Sequence, residues 1–306
     1  MISASSAATV GLGHLPTSRI ERHDFGPASE TPTVSVVVPT LDRHRRGLLD
    51  RLLLDLRSQT LARFEVLLVI GDRRQGRAIN RGVREARAEI VVTMDDDTEV
   101  RTPRLLENLV DTLNSDPSLG LVGASTVVSE GASWFQRAAC HQVPRRFFPI
   151  VDRVTDSDMV QHPCLALRRE TFLAIGGEDE QLIRGLDPLL RHKVRSAGLR
   201  VVIAPNSPIS HPLPDRFVDV LRMYYRNGRG SAFAQKHFPE RIYSLSDGYC
   251  GNQFRERVPF LRRVASYPWR IARSILTLQW IRLGTELAYG TGFLVEYWGR
   301  SRTPTE

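Results

Sequence analysis

EIVVTMDDDTEV, Glu89 to Val100, decides how this chain is read. Apolar residues run from Ile90 to Met94 and stop at three consecutive carboxylates, Asp95, Asp96 and Asp97. A short β-rich apolar run of this kind predicts a buried strand of a parallel sheet. Ligands of open α/β sheets bind just beyond the carboxyl ends of such strands. Three adjacent carboxylates repel one another unless a cation or a set of donors neutralises them. A hard divalent ion, Mg²⁺ or Mn²⁺, holding phosphate oxygens answers that need. A solvated strand end favouring the next helix N-terminus is the plainer alternative. An EF-hand is excluded, because counting from Asp95 puts Val100 at position six and Leu106 at position twelve.

Working outward, the preceding segments repeat one grammar. TVSVVV (Thr33–Val38) predicts a strand, ended by Pro39 and Thr40, and Gly47 to Ser58 an amphipathic helix. FEVLLVI (Phe64–Ile70) predicts a second buried strand and Gly76 to Ala88 a second helix. Strand, helix, strand, helix, strand is a doubly wound, mostly parallel sheet with helices on both faces. Beyond the triplet, Thr102 and Pro103 read as N-cap and N1 of a helix to Asn114, and Leu119 to Ser125 as a strand. Residues 129–163 have no clear period, and a stretch that long is either a substrate-facing segment or a surface excursion. Pro163 to Leu167 is an apolar run, and Arg168 to Ala174 reads as a short helix broken by Gly176-Gly177. Asp187 to Ala197 reads as a helix ending at Gly198, Arg200 to Ala204 as a strand, and Pro205 to His211 as a loop. Asp187 followed by Pro188 has the form of an N-cap and N1.

The ends differ from this middle. Residues 1–31 are Ser-, Ala-, Gly- and Pro-rich and predict a mobile leader. The expected domain is 32–238, followed by a helical C-terminal extension, 239–306. After Pro259 the tail interleaves Arg262, Arg263, Arg270, Arg273 and Arg282 with apolar residues and Trp269, Trp280 and Trp298. That pattern fits either an interfacial helix on an anionic membrane or an appendage packed on the domain; Glu286 and Glu296 interrupt it. The net charge is +8, but Lys193 and Lys236 are the only lysines, an arginine bias that reflects base composition as readily as binding, so nucleic acid is not expected. Cys140, Cys164 and Cys250 have neither disulfide-framework nor zinc spacing, which fits a reducing cytoplasm. No secretory signal or spanning segment is expected.

The ordered motifs SVVVPT, Gln59-Thr60, Gly76 with Asn80-Arg81-Gly82, MDDDTEV, PCLALRRETFLAIGGEDE and RGLDPLLRHKVRSAGLRVVIAPNSPISH, followed by YYRNGRG, resemble the family 2 glycosyltransferases over about residues 33–235. The resemblance implies a GT-A fold and an inverting transfer of a sugar from a nucleotide-diphosphate sugar. The implied acceptor is a hydroxyl of a glycan, a lipid-linked molecule or a small molecule. It implies Asp97 and His211 as metal ligands, Asp95 as a contact to ribose or sugar, and Asp96 as the middle carboxylate, turned away. Asp187 falls at the family's catalytic base, although Leu186 and Leu189 stand where further acidic residues are usual. The nucleobase usually meets an acidic pair after the second strand; here only Asp72 is available, shortly after Ile70-Gly71. Pro39 and Thr40 are expected to line the nucleotide pocket through backbone groups, and Arg77 and Asn80 to approach base or phosphates, each with a fold-building turn residue as the equal alternative. Arg226 and Arg229 read as a solvated helix face, with contact to the diphosphate as the alternative. The cysteine usage places the protein in the cytoplasm, and the tail leaves peripheral contact with the inner membrane face and packing on the domain as equal alternatives.

Two other classes compete. A sugar-nucleotide nucleotidyltransferase needs a glycine-rich loop after its first strand, yet no glycine precedes Gly47 there. A non-catalytic scaffold of the same shape need not keep Asp95, Asp97, Asp187 and His211 together.

Overall fold

The computed structural model describes residues 18–27, 30–44, 47–243 and 259–299. Its centre is a nine-stranded sheet in the order β1-β3-β2-β4-β8-β6-β9-β5, with β1 (Arg19–Phe25) and β5 (Glu99–Val100) at its two edges and β7 (Thr155–Asp156) also paired to β9. β2 (Val34–Thr40), β3 (Phe64–Ile70) and β4 (Ile90–Met94) are the three apolar runs, and β3–β2–β4 pair in parallel. β6 (Leu119–Val127) and β9 (Arg200–Ser210) pair in parallel too. Between the two groups lies β8 (Cys164–Arg168), antiparallel to both β4 and β6, so five strands share a direction around one reversed member.

The two faces are covered as the periodicity predicts. α1 (Leu48–Arg57) and α3 (Leu105–Ser115) bury leucines against one face, packing on Val36, Val66 and Val92. α2 (Gln75–Glu85) and α6 (Leu186–Ser196) cover the other, where Ile79, Val83, Leu190 and Val194 meet Val37, Leu67 and Val91. The order in which strands are added reverses between β2 and β4, because β3 lies on one side of β2 and β4 on the other. That switch point is where open α/β sheets form their ligand crevice.

Several local expectations are corrected. Within the expected leader, residues 1–17 lie outside the described residues, but Arg19–Phe25 forms β1, antiparallel along the whole of β3, with Phe25 stacked on Phe64 at 4.4 Å. Its sequence, RIERHDF, is charged because an edge strand exposes much of its surface, which hid it from a hydrophobicity reading. Thr102 does not cap α3; Arg104 is the N-cap residue. The expected loop 205–211 is mostly strand, since β9 runs through Pro205 and Pro208 by way of a register shift, with Asn206 at φ +50°. The unassigned stretch 129–163 contains α4 (Trp134–Gln142), opened by a capping box between Ser133 and Gln136. Ser-Trp-Phe-Gln is that box written in the sequence.

The chain then forms α5 (Arg169–Ala174), α7 (Phe217–His237), α8 (Phe260–Leu276) and α9 (Trp280–Trp298). α7 and α9 touch at backbone distance. A Cβ on Gly292 would sit 2.1 Å from the Tyr225 carbonyl oxygen, and one on Gly228 2.0 Å from that of Tyr289. Arg229 reaches Glu296 across this contact at 2.8 Å. Both its sequence readings, a solvated face and a diphosphate contact, are therefore replaced by a role that fixes the two helices together. The described part of the C-terminal extension thus packs on the domain.

Candidate active site at the strand ends

Three connections assemble the site. β4 delivers Asp95–Asp97 beyond its carboxyl end, and the two-residue β5 (Glu99–Val100) then pairs antiparallel with the end of β9, Glu99 against Ser210. This short pairing sets the acidic loop beside His211, the first residue after β9. Thr98 fixes the turn from beneath, donating its hydroxyl to the Pro163 carbonyl at 2.8 Å.

The triplet divides by surroundings. Asp96 is buried, and its Oδ2 accepts from the Thr40 hydroxyl at 2.6 Å, tying the end of β4 to that of β2. The middle carboxylate therefore turns into the protein. Asp95 and Asp97 stay partly open, each side chain about one-fifth exposed: 21% and 19%. Gln75, at the start of α2, donates to Asp95 Oδ1 at 2.8 Å. His211 Nε2 lies 2.9 Å from Asp97 Oδ1 and 3.8 Å from Asp95 Oδ2. Burial, with the charge of Asp97 adding to it and His211 opposing, raises the Asp95 pKa to about 6. For His211 burial works to lower the pKa and Arg146 adds to that, yet the Asp97 and Asp95 carboxylates leave it raised.

One ligand atom from each of Asp95, Asp97 and His211 can be chosen so that all lie within 4.8 Å of one another. Two carboxylates and an imidazole fit Mn²⁺ or Mg²⁺ in donor type, with nitrogen better suited to Mn²⁺. Asp95, expected as a ribose or sugar contact, is thus also placed to hold the cation. Arg146 lies with Nη1 3.2 Å from His211 Nδ1. A guanidinium only donates, so this contact leaves the imidazole proton on Nε2, facing Asp97. Ligation through Nε2 requires the opposite tautomer and hence release of Arg146.

Asp187 lies in the first turn of α6, but Gly185, at φ +91°, is the N-cap residue. The carboxylate is turned elsewhere: its Oδ1 accepts from the backbone N–H of His162 at 2.7 Å. Burial pushes the Asp187 pKa up, but the charges of His162 and Arg191 and the His162 amide hold it below the usual carboxylate range. It is an ionised acceptor at neutral pH, with its side chain 34% exposed, and near enough to Asp95 for each to feel the other's charge.

Beneath it lies a pair that the sequence reading missed. The His162 and Glu178 side chains are 4% and 1% exposed, with Nε2 and Oε1 3.2 Å apart but outside hydrogen-bond alignment. Burial lowers the His162 pKa, yet Glu178 and then Asp187 overcome it and push it up to about 9. No local signal marks this pair, because 16 positions separate two residues that only the fold brings together.

The remaining expected residues divide. Asp72 and Arg77 lie together after β3 in a bidentate pair of 2.6 and 2.7 Å, so each holds the other in place. Pro39 lies in β2 opposite Val69, and the Thr40 carbonyl accepts from Gly71 N–H at 2.9 Å. The Thr40 hydroxyl and carbonyl thus both make contacts within the scaffold. Asn80 makes the contacts of its fold-building alternative. Its amide accepts from Glu178 N–H at 2.8 Å and donates to the Glu178 carbonyl at 3.0 Å and Glu180 at 2.9 Å, clamping the loop after α5 onto α2. Gly76 permits that contact, since a Cβ there would meet the Asp179 carbonyl oxygen at 2.3 Å. Arg226 stays near the site, in the electrostatic neighbourhood of Arg184 with Arg146 and Asp187.

Residues 71–176 match the model of Glycosyl transferase family 2. Over 230 residues, 60% of this chain, the sequence is 27% identical to the O-antigen biosynthesis protein RfbC of Myxococcus xanthus. The chain spans less than a fifth of that relative's length, 18%. Among solved structures, it is similar to the mannosyltransferase PcManGT from Pyrobaculum calidifontis in complex with GDP-Man and Mn²⁺. That likeness has a TM-score of 0.56 at 17% identity and covers 89% of each chain, which shows the GT-A fold.

Proposed function

From the premise that this chain carries a family 2 glycosyltransferase segment, we propose that it transfers a hexose from a nucleotide-diphosphate sugar to an acceptor hydroxyl, inverting the anomeric centre. The observation that carries this reading is the convergence of Asp95, Asp97 and His211 within 4.8 Å at the switch point of the sheet. In this reading the nucleotide lies across the ends of β2 and β3, near Pro39 and the Asp72–Arg77 pair. Asp97 and His211, with Asp95, hold the divalent cation, which when bound supplies Lewis-acid neutralisation of the departing diphosphate. Gln75 orients Asp95 by its hydrogen bond. Arg146, released from His211, and Arg226 add positive charge on the diphosphate side.

Asp187 is the general base. It takes the proton of the acceptor hydroxyl while the hydroxyl oxygen attacks the anomeric carbon from the face opposite the diphosphate. One of its oxygens is fixed by the His162 amide, which leaves Oδ2 for the acceptor. The His162 imidazolium, sustained by Glu178, lies beside Asp187 and helps keep it ionised and receptive at neutral pH.

The relatives' descriptions make GDP-mannose the first donor to test, and a cell-envelope glycan or its lipid-linked precursor, reached from the cytoplasmic side, the first acceptor. Calorimetry with Mn²⁺ and each common nucleotide sugar tests the proposal. Binding of one donor, with slow hydrolysis in the absence of acceptor, is expected; failure of every donor with either cation sinks it.

A further inference from the structure

The described C-terminal helices show an apolar face turned away from the protein. In α8, Leu261, Val264, Trp269, Ile275 and Leu276 fall within one arc of the helix when its residues are placed 3.6 to the turn, and all are exposed. Leu261 and Leu276 are 79% and 74% exposed. The opposite face makes the protein contacts: Arg263 reaches Gln235, Tyr267 the Glu286 carbonyl, and Arg270 donates to Glu286 at 2.6 Å. A helix that packs on a domain ordinarily turns its apolar stripe inward; α8 turns it outward. The patch runs on through the turn, where Leu278 and Trp280 are 67% and 58% exposed.

Charge identifies what fits this face. Arg262 and Arg273 are exposed at its margin, and no described residue pairs with either guanidinium. The only carboxylates of residues 259–299, Glu286 and Glu296, are buried and paired inward with Arg270 and Arg229. The two residues that interrupt the amphipathic pattern in sequence are therefore absent from the outward surface. Exposed leucine and tryptophan bordered by unpaired arginine, with no outward carboxylate, is the composition of a helix lying in the interface of an anionic bilayer. No described helix is long and apolar enough to cross a membrane, so this contact is peripheral.

We propose that the outward face of α8, continued through Leu278 and Trp280, docks the protein flat on an anionic lipid bilayer. The docking is independent of the sugar-transfer reading and stands or falls separately from it. Its test is flotation of the full chain with phosphatidylglycerol-containing vesicles and with phosphatidylcholine vesicles, alongside tryptophan quenching by brominated lipid. Strong binding to the anionic vesicles, weakened by salt, and quenching that falls in Trp269→Ala are expected. Arg262→Gln with Arg273→Gln should weaken binding by roughly 25-fold, about fivefold for each arginine. Leu261→Glu with Leu276→Glu should abolish it while leaving the thermal midpoint and nucleotide-sugar binding unchanged. Equal binding to both vesicle types, or none to either, overturns the proposal. So does sedimentation showing a lipid-free dimer that the leucine substitutions dissociate, since a second copy would then cover the face.

Discussion

Two histidines, each facing two carboxylates, occupy the same end of the sheet and serve opposite ends. His211 meets Asp95 and Asp97 where all three side chains are about one-fifth exposed. His162 meets Glu178 and Asp187, but there the histidine and the glutamate are almost wholly buried. In the open group, carboxylates and imidazole present ligand atoms to a common point, and a cation can replace the proton that Asp97 and His211 share. In the closed group the imidazolium is itself the cation. Burial makes the difference: a buried carboxylate must be neutralised from within, whereas a partly open one can wait for an ion from solution.

Breaking the contact between the closed group and solvent should have the largest effect. Asp187→Asn is expected to lower the transfer rate by about 10²–10⁴-fold with donor affinity nearly unchanged; initial rates beside calorimetry check this, and surviving transfer would place the base elsewhere. Removing the internal cation comes next. His162→Leu strands Glu178 and should cost about 3–5 kcal/mol in denaturant unfolding, much of it recovered when Glu178→Leu is added. The pair's sign is set by a histidine pKa raised from 6.5 to about 9. Its contribution is full below pH 6.5 and is lost as pH rises through 9, a slope the His162→Leu protein should lack.

The open group predicts a smaller, ion-dependent gain. Mn²⁺ at a hundredfold excess over its dissociation constant should stabilise the protein by about 2.7 kcal/mol, and Asp97→Ala should remove the gain. Because Asp95 holds its proton up to about pH 6, the thermal shift with Mn²⁺ should be full above that value and shrink as pH falls through it. The metal-free protein should behave oppositely, losing some stability as pH rises from 3.8 to 6, since the folded state binds that proton more tightly. The smallest effect sharpens the division within the triplet. Thr40→Val removes the donor to buried Asp96 and should cost about 1.5–3 kcal/mol in unfolding while Mn²⁺ binding persists; loss of the ion instead would make Asp96 a ligand.

Legibility followed range. β2, β3 and β4, with α1 and α2, could be read because each apolar pattern answers to a sheet face that any doubly wound domain supplies. The Ser133–Gln136 box was equally local and went unread amid scattered aromatics. β1 could not be recognised by hydrophobicity, since its charged residues gain their meaning from pairing with β3. Asn80 stayed open between two readings for a similar reason: an amide on an amphipathic helix is not assigned a partner until the loop at residues 178–180 is laid across it. Arg229 reads in sequence as a residue of a solvated helix face, and Glu296, 67 positions away, is what makes it an internal partner.

What the sequence determined by itself was the alternation of strands and helices, the carboxylates ending β4, and the ordered motifs that resemble one family. Those depend on local propensity and on spacing along the chain. Tertiary structure alone decided which of three neighbouring aspartates turns inward, that His162 and Glu178 neutralise each other beneath Asp187, and that Glu286 and Glu296 face the protein and leave the outer face of α8 without negative charge. Each of these is a choice between water, a partner and an ion for one charged group. The cost of burying a charge depends on what folding brings beside it, and a linear sequence does not carry that distance.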